Sequence, residues 1–259
     1  MLKKLLLPQI VLLVLLSGAS LMAQTTNTIE ARVFSSKDGR TLPYRIFEPA
    51  NYDPQKKYPL VLCLHGAGGR GDDNKSRGSE AFSALSTAQV QQGHPCFLLT
   101  PQCPEGKTWV KTPWSKGSYS IDAVPLTDEM KSVMDILGQV RTEFSIDPAR
   151  IYVTGQSMGG YGTWDIILRN PQLFAAAIPV CGAGDPSKAK AIAQLPLRVF
   201  HGSDDDAVPV QGSRDMAAAL TAAGSTSFKY TEYPGVRHPS WINAWKEKDL
   251  ISWLFQQHR

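Results

Sequence analysis

The chain has 259 residues and a formal net charge of +4 at pH 7. An excess this mild and this dispersed does not argue for nucleic acid or an anionic membrane as partner. Its four cysteines and five histidines show no spacing of a zinc site.

Residues 1–23 read as a removable export signal. Lys3 and Lys4 supply the positive start, 5–16 are apolar apart from Pro8 and Gln9, and small residues fill much of 17–23. Cleavage is expected after Ala23, with Ala19 as the alternative. The unbroken apolar run, 10–16, is well short of the roughly 20 residues a membrane span needs, so a secreted or periplasmic protein without a retained anchor is expected. No cysteine follows that run to carry a lipid. Loss of Lys3 and Lys4 lowers the net charge from +4 to +2. Residues 24–259 are long enough for one domain, and no repeat or linker divides them.

Residues 29–35 and 42–47 alternate in strand fashion about a turn at 37–40, which predicts an antiparallel hairpin. Short apolar runs of buried parallel strands follow at 59–64, 96–100, 150–154, 174–180, 197–200 and 228–233. Helical patterns lie between or after them at 128–144, 159–169, 214–223 and 246–257. This alternation predicts an α/β fold, a mostly parallel sheet covered by helices on both faces. Working residues in such sheets lie on loops beyond the carboxyl ends of the strands.

Export permits disulfides. Yet Cys63 and Cys181 belong to buried strands, and an extended run holds Cys96 and Cys103 too far apart. No obligatory disulfide is expected.

The strongest motif is the strand at 151–154 followed by Gly155-Gln156-Ser157-Met158-Gly159 and a helix. A serine at so tight a strand-to-helix turn is strained and projects its hydroxyl above the sheet. The flanking glycines avoid collision there, and the helix start offers N–H groups to an oxyanion. Ser157 needs a base. His258 is penultimate, His94 sits in a loop before a strand, and His65 and His201 each end a strand before a glycine and read as loop braces. His238 remains, on the loop between the last strand and the terminal helix. The supporting acid comes from Asp204, Asp205 or Asp206 on the loop after 197–200, and spacing alone does not separate them. Nucleophile, acid and histidine then follow the chain order of α/β-hydrolases.

An acyl-transfer intermediate also needs two N–H donors. Met158 is expected to supply one. The glycine-rich loop after 59–64 supplies the other, with Ala67 preferred to Gly68. The tripeptide Arg70-Gly71-Asp72 reads as a polar turn and not as an adhesion signal.

The runs Leu-His-Gly-Ala-Gly-Gly-Arg-Gly-Asp-Asp-Asn (64–74), Pro-Gln-Cys-Pro (101–104) and Gly-Gln-Ser-Met-Gly-Gly-Tyr-Gly-Thr-Trp (155–164) resemble a secreted bacterial carboxylesterase family. Its relatives include feruloyl and acetylxylan esterases, polyhydroxybutyrate depolymerases and dienelactone hydrolases, and some members are labelled predicted peptidases. The resemblance extends from about residue 29 to the end. It implies the α/β-hydrolase fold, and its pattern His-Gly-x-x-Asp-x-x-Val-Pro over 201–209 implies Asp205 as the acid. The family's base maps onto His238, followed here by Pro239-Ser240-Trp241. Arg237 departs from the glycine or alanine of many relatives and alters the charge beside the site.

The segment 181–196 is too short for a large lid, so an open, shallow site is expected, suited to small-molecule or polymer-borne esters. Trp109, Trp114 and Trp241 are candidate substrate-binding aromatics, with Trp245 nearby and core packing as the competing reading for each. The expected chemistry is two-step acyl transfer with no metal or organic cofactor. A serine peptidase of the same fold and a non-catalytic binding protein are the rival readings. Nothing in the sequence sets an oligomeric state.

Overall fold

The computed structural model describes residues 27–75 and 79–259, so the expected export signal lies outside the described residues. Strands β1 (Thr28–Ser35) and β2 (Thr41–Glu48) form the antiparallel hairpin. The chain continues through β3 (Tyr58–Leu64), α1 (Glu80–Leu85), α2 (Ala88–Gly93), β4 (Phe97–Pro101), α3 (Asp128–Glu143) and β5 (Ile146–Gln156). Then come α4 (Met158–Arg169), β6 (Ala176–Val180), β7 (Leu197–Gly202), α5 (Gln211–Ala222), β8 (Phe228–Tyr233), α6 (Trp241–Ala244) and α7 (Leu250–Gln256). The strands make one sheet in the order β1-β2-β4-β3-β5-β6-β7-β8. β2 runs antiparallel to both of its neighbours, and every pair from β4 to β8 is parallel.

Period-two alternation along the central strands feeds two cores. Leu60, Leu62 and Leu64 of β3 pack with Met130, Val133 and Leu137 of α3 and with α4 and α5 on one face. Val61 and Cys63 face the other way, toward Phe82 and Leu85 of α1 and Leu250 and Leu254 of α7. Both faces of the middle strands are dry, which is why they read as unbroken apolar runs. All four cysteines are free and buried.

Two helices were not expected from the sequence. α1 and α2 have six residues each, too few to display a helical period. Their starts are marked by Ser79 and Thr87, whose hydroxyls accept from Phe82 N–H and Val90 N–H. The expected terminal helix at 246–257 is α7, which begins later, at Leu250, and the four-residue α6 that precedes it was not expected either. Between β6 and β7 the chain makes only a 3-10 stretch, Pro186–Ile192, and no lid domain.

The topology places the site. From β3 the chain goes to β4 on one side, then returns through α3 to β5 on the other. The loops after β3 and β5 therefore open a crevice at the point where the winding changes direction.

Candidate active site

Ser157 stands between β5 and α4 with φ 57° and ψ −120°, a left-handed conformation that costs a residue with a side chain about 1–3 kcal/mol. The surroundings hold it there. Its N–H donates to Val180 O at 3.0 Å. A Cβ on Gly155 would lie 2.2 Å from Gly159 O, and one on Gly159 would lie 2.0 Å from Leu64 O. Gly155 thus keeps the bend tight, whereas Gly159 lets α4 seat against the end of β3. A hydroxyl so presented stands at the positive end of a twelve-residue helix.

The loop after β8 brings His238 to it. That loop lies on the loop after β7: Asp204 N–H donates to Val236 O, Ser203 N–H to Tyr233 O, and Gly235 N–H to Ser203 Oγ. Gly202 permits the contact, because a Cβ there would fall 2.1 Å from Val236 O. His238 Nε2 lies 2.9 Å from Ser157 Oγ, and its Nδ1 lies 2.9 and 2.8 Å from Asp205 Oδ1 and Oδ2. Facing a carboxylate, Nδ1 carries the hydrogen, which leaves Nε2 as acceptor for the serine proton.

Among the three adjacent acids, only Asp205 points inward. Asp204 is exposed and accepts from Ser203 Oγ, and Asp206 pairs with Arg237 at the surface. The Asp205 side chain is fully buried. Burial by itself would raise its ionisation point, but bonds from His201, His238 and the Val208 and Ala207 N–H groups hold it well below the usual carboxylate range. The contact from His201 was not anticipated from the sequence, which suggested a loop brace. His201 does reach Val208 O at 3.1 Å, yet the same Nε2 also lies 3.1 Å from Asp205 Oδ2. Its position four residues before the acid was the signal available.

The candidate oxyanion donors sit on either side of Ser157. Met158 is the first residue of α4, where an N–H has no partner within the helix. Ala67 opens a 3-10 turn, Ala67–Gly69, and the preceding Gly66 lies against the elbow, its would-be Cβ 3.6 Å from Ser157 Cβ. His65 fixes the loop from beneath. Its Nδ1 donates to Gly66 O at 2.6 Å and its Nε2 accepts from Cys103 N–H at 2.9 Å. Gly68 is exposed at the crest of this turn.

The three candidate tryptophans divide. Trp109 is fully buried and donates its Nε1–H to His65 O at 3.0 Å, so it supports the loop and is not placed to bind substrate. It remains in a loop, but its side chain joins the core and packs edge-on to the His65 ring, the competing reading of the sequence. Trp241 is half-buried, with its ring perpendicular to His238 at 5.2 Å. Trp114 is half-buried beneath the Arg70 guanidinium, 5.6 Å from the ring centre. Trp245 belongs to the core beside α7.

Cys181, Asp205 and His238 bring three potential metal-ligand atoms within 4.8 Å of one another. The Asp205 and His238 atoms concerned are already bonded to each other and to Ser157, and burial pushes the Cys181 thiol far above its ordinary range. The group suits proton handling better than cation binding.

A family model described as the prolyl oligopeptidase family matches residues 125–198, which include the elbow. A bifunctional acetylxylan esterase/xylanase of Neocallimastix patriciarum is 26% identical over 178 residues, 69% of this chain and 23% of that protein. The chain thus spans under a quarter of that relative's length. A solved thermostable esterase superposes with a TM-score of 0.80 at 39% identity, over 89% of this chain and 63% of that one. A feruloyl esterase module from Clostridium thermocellum, complexed with sinapinate, shares the fold with a TM-score of 0.65 at 16% identity, over 89% of each chain. With its mostly parallel eight-stranded sheet and a serine at the bend between β5 and α4, the chain has the α/β-hydrolase fold.

Proposed function

We propose that the chain is a serine carboxylic-ester hydrolase in which Ser157 is nucleophile, His238 general base and acid, and Asp205 the supporting carboxylate. One observation carries the reading: an unbroken hydrogen-bonded line runs from Ser157 Oγ through both nitrogens of His238 to buried Asp205.

Ser157 Oγ attacks the ester carbonyl as its proton passes to His238 Nε2. Asp205 stabilises the imidazolium, and the Met158 and Ala67 N–H groups receive the oxyanion. The bond to the alcohol breaks as Nε2 returns the proton to the leaving oxygen. Water then repeats the sequence on the acyl-enzyme and releases the acid.

Short acyl or aromatic esters, on small molecules or on plant polysaccharides, are the substrates favoured here. Support comes from the short β6–β7 connection, from half-exposed Trp114 and Trp241, and from similarity to an acetylxylan esterase and a feruloyl esterase module. The match to a prolyl oligopeptidase family model supports a second reading, peptide hydrolysis by the same groups. Export to the periplasm or beyond, after cleavage near Ala23, belongs to the same proposal; the first residue of the mature chain tests it.

A fluorophosphonate probe is expected to label the wild type and not Ser157→Ala. A panel of acetyl, feruloyl and short-chain aryl esters against peptide amides then separates the two reactions. A folded wild type that takes no label would leave only a binding role.

A further inference from the structure

We propose that His201 is a positioning residue for the acid of the triad, holding Asp205 in the orientation and charge state that His238 requires. The inference rests on the triad reading above and extends it to a second imidazole.

His201 lies on β7, four residues before Asp205, and both side chains are fully buried. Its Nε2 faces two groups that can only accept, the Asp205 carboxylate and Val208 O, each at 3.1 Å. Nε2 therefore carries a hydrogen. Its Nδ1 lies 2.8 Å from Ser213 Oγ on α5, which also reaches Gly182 O at 3.0 Å. Whichever way the single Ser213 proton points, Nε2 remains the donor.

The consequence follows from counting lone pairs. A carboxylate offers about four acceptor sites. Asp205 meets four N–H groups, those of His238, His201, Ala207 and Val208. Every site is used, so the carboxylate plane has no freedom to turn, and the His238 tautomer is set with it. Without His201, one oxygen lone pair in a dry pocket loses its partner, and the acid can rotate or take up a proton. The bonds of His201 go to Asp205, Val208 O and Ser213, so it acts on the serine through Asp205, and its removal should slow the chemical step and leave binding alone.

A double-mutant cycle on kcat and KM with an aryl ester tests this. His201→Leu is expected to lower kcat about 10- to 100-fold and to leave KM within about two-fold. His201→Gln keeps an N–H donor of similar reach and is expected to recover most of the loss. In an Asp205→Asn background, His201→Leu should change kcat by less than about two-fold, because the route is already broken. Equal losses in both backgrounds, or a lowered melting temperature with unchanged kcat, would make His201 a brace for the loop and overturn the inference. Should His201→Leu fail to fold, Ser213→Ala carries the same cycle: a loss of about three-fold in kcat confined to the Asp205 background supports the inference, and an equal loss in both overturns it. Wild-type turnover by Asp205→Asn would remove the triad reading and this inference together. A crippled Asp205→Asn with additive losses removes this inference alone.

Discussion

The ends of β3 and β7 carry the same local pattern, an apolar strand closing on a histidine and a glycine, and both imidazoles are fully buried. Their chemistry diverges through the residue four places on. After His65 that residue is Gly69, where a Cβ would sit 2.7 Å from the imidazole, so the ring closes back onto its own loop. After His201 it is Asp205, and the ring engages a carboxylate. His65 accepts from Cys103 N–H, is held neutral, and burial lowers its ionisation to about 4. One histidine thus braces the loop that carries the proposed oxyanion donor, and the other faces the carboxylate of the proposed triad. The same dipeptide becomes a structural or an electrostatic device according to what faces it.

Removing the charge at the β7 end should have the largest effect. Asp205→Asn is expected to lower kcat by roughly 10⁴, read by steady-state kinetics below the melting temperature that a thermal scan gives for the variant. A loss below about ten-fold would mean that the two strand ends do not differ in the way described here.

At the β3 end the effect should fall on stability. His65→Leu leaves Cys103 N–H without its acceptor in a dry site and is expected to cost about 2–4 kcal/mol in urea unfolding. The acid response separates the two ends further. His65 ionises at about 4 in the fold and near 6.5 when free, so the unfolded chain binds a proton that the native state refuses. This contribution is whole above about pH 6.5 and fades as pH falls toward 4, a loss of about 3 kcal/mol. Asp205, whose ionisation is lowered, contributes stability above about pH 4 that is lost as pH falls further. In His65→Gln the slope of stability between pH 6.5 and 4 should flatten; an unchanged slope would show that the imidazole is not held neutral.

Trp109→Phe is a smaller perturbation of the same end. Loss of the indole bond to His65 O should cost about 1 kcal/mol and leave KM unchanged for every ester tried, whereas a shifted KM would restore Trp109 as a substrate contact. Smallest is Arg237→Gly, which breaks an exposed pair with Asp206; stability should move by less than about 0.5 kcal/mol by denaturant titration.

Strand and helix order was legible because buried parallel strands need apolar runs and long helices need a period. The elbow was legible for a related reason: backbone crowding there admits only glycine at two positions, and that requirement is written in residue types. α1 and α2 escaped because helices of six residues carry too few positions to repeat. Whether Trp109 packs or binds was left open between two readings because exposure is a property of neighbours, and the core took it.

Local rules, then, are enough to find the fold class, the bend that carries Ser157, and the last-loop histidine, since each follows from what a short stretch of chain can adopt. Which of three consecutive aspartates turns inward, and which of two buried histidines meets it, depends on loops that touch only after folding. The β8 loop must settle over Gly202 before His238 and Asp205 share a hydrogen bond, and no neighbouring residue announces that contact.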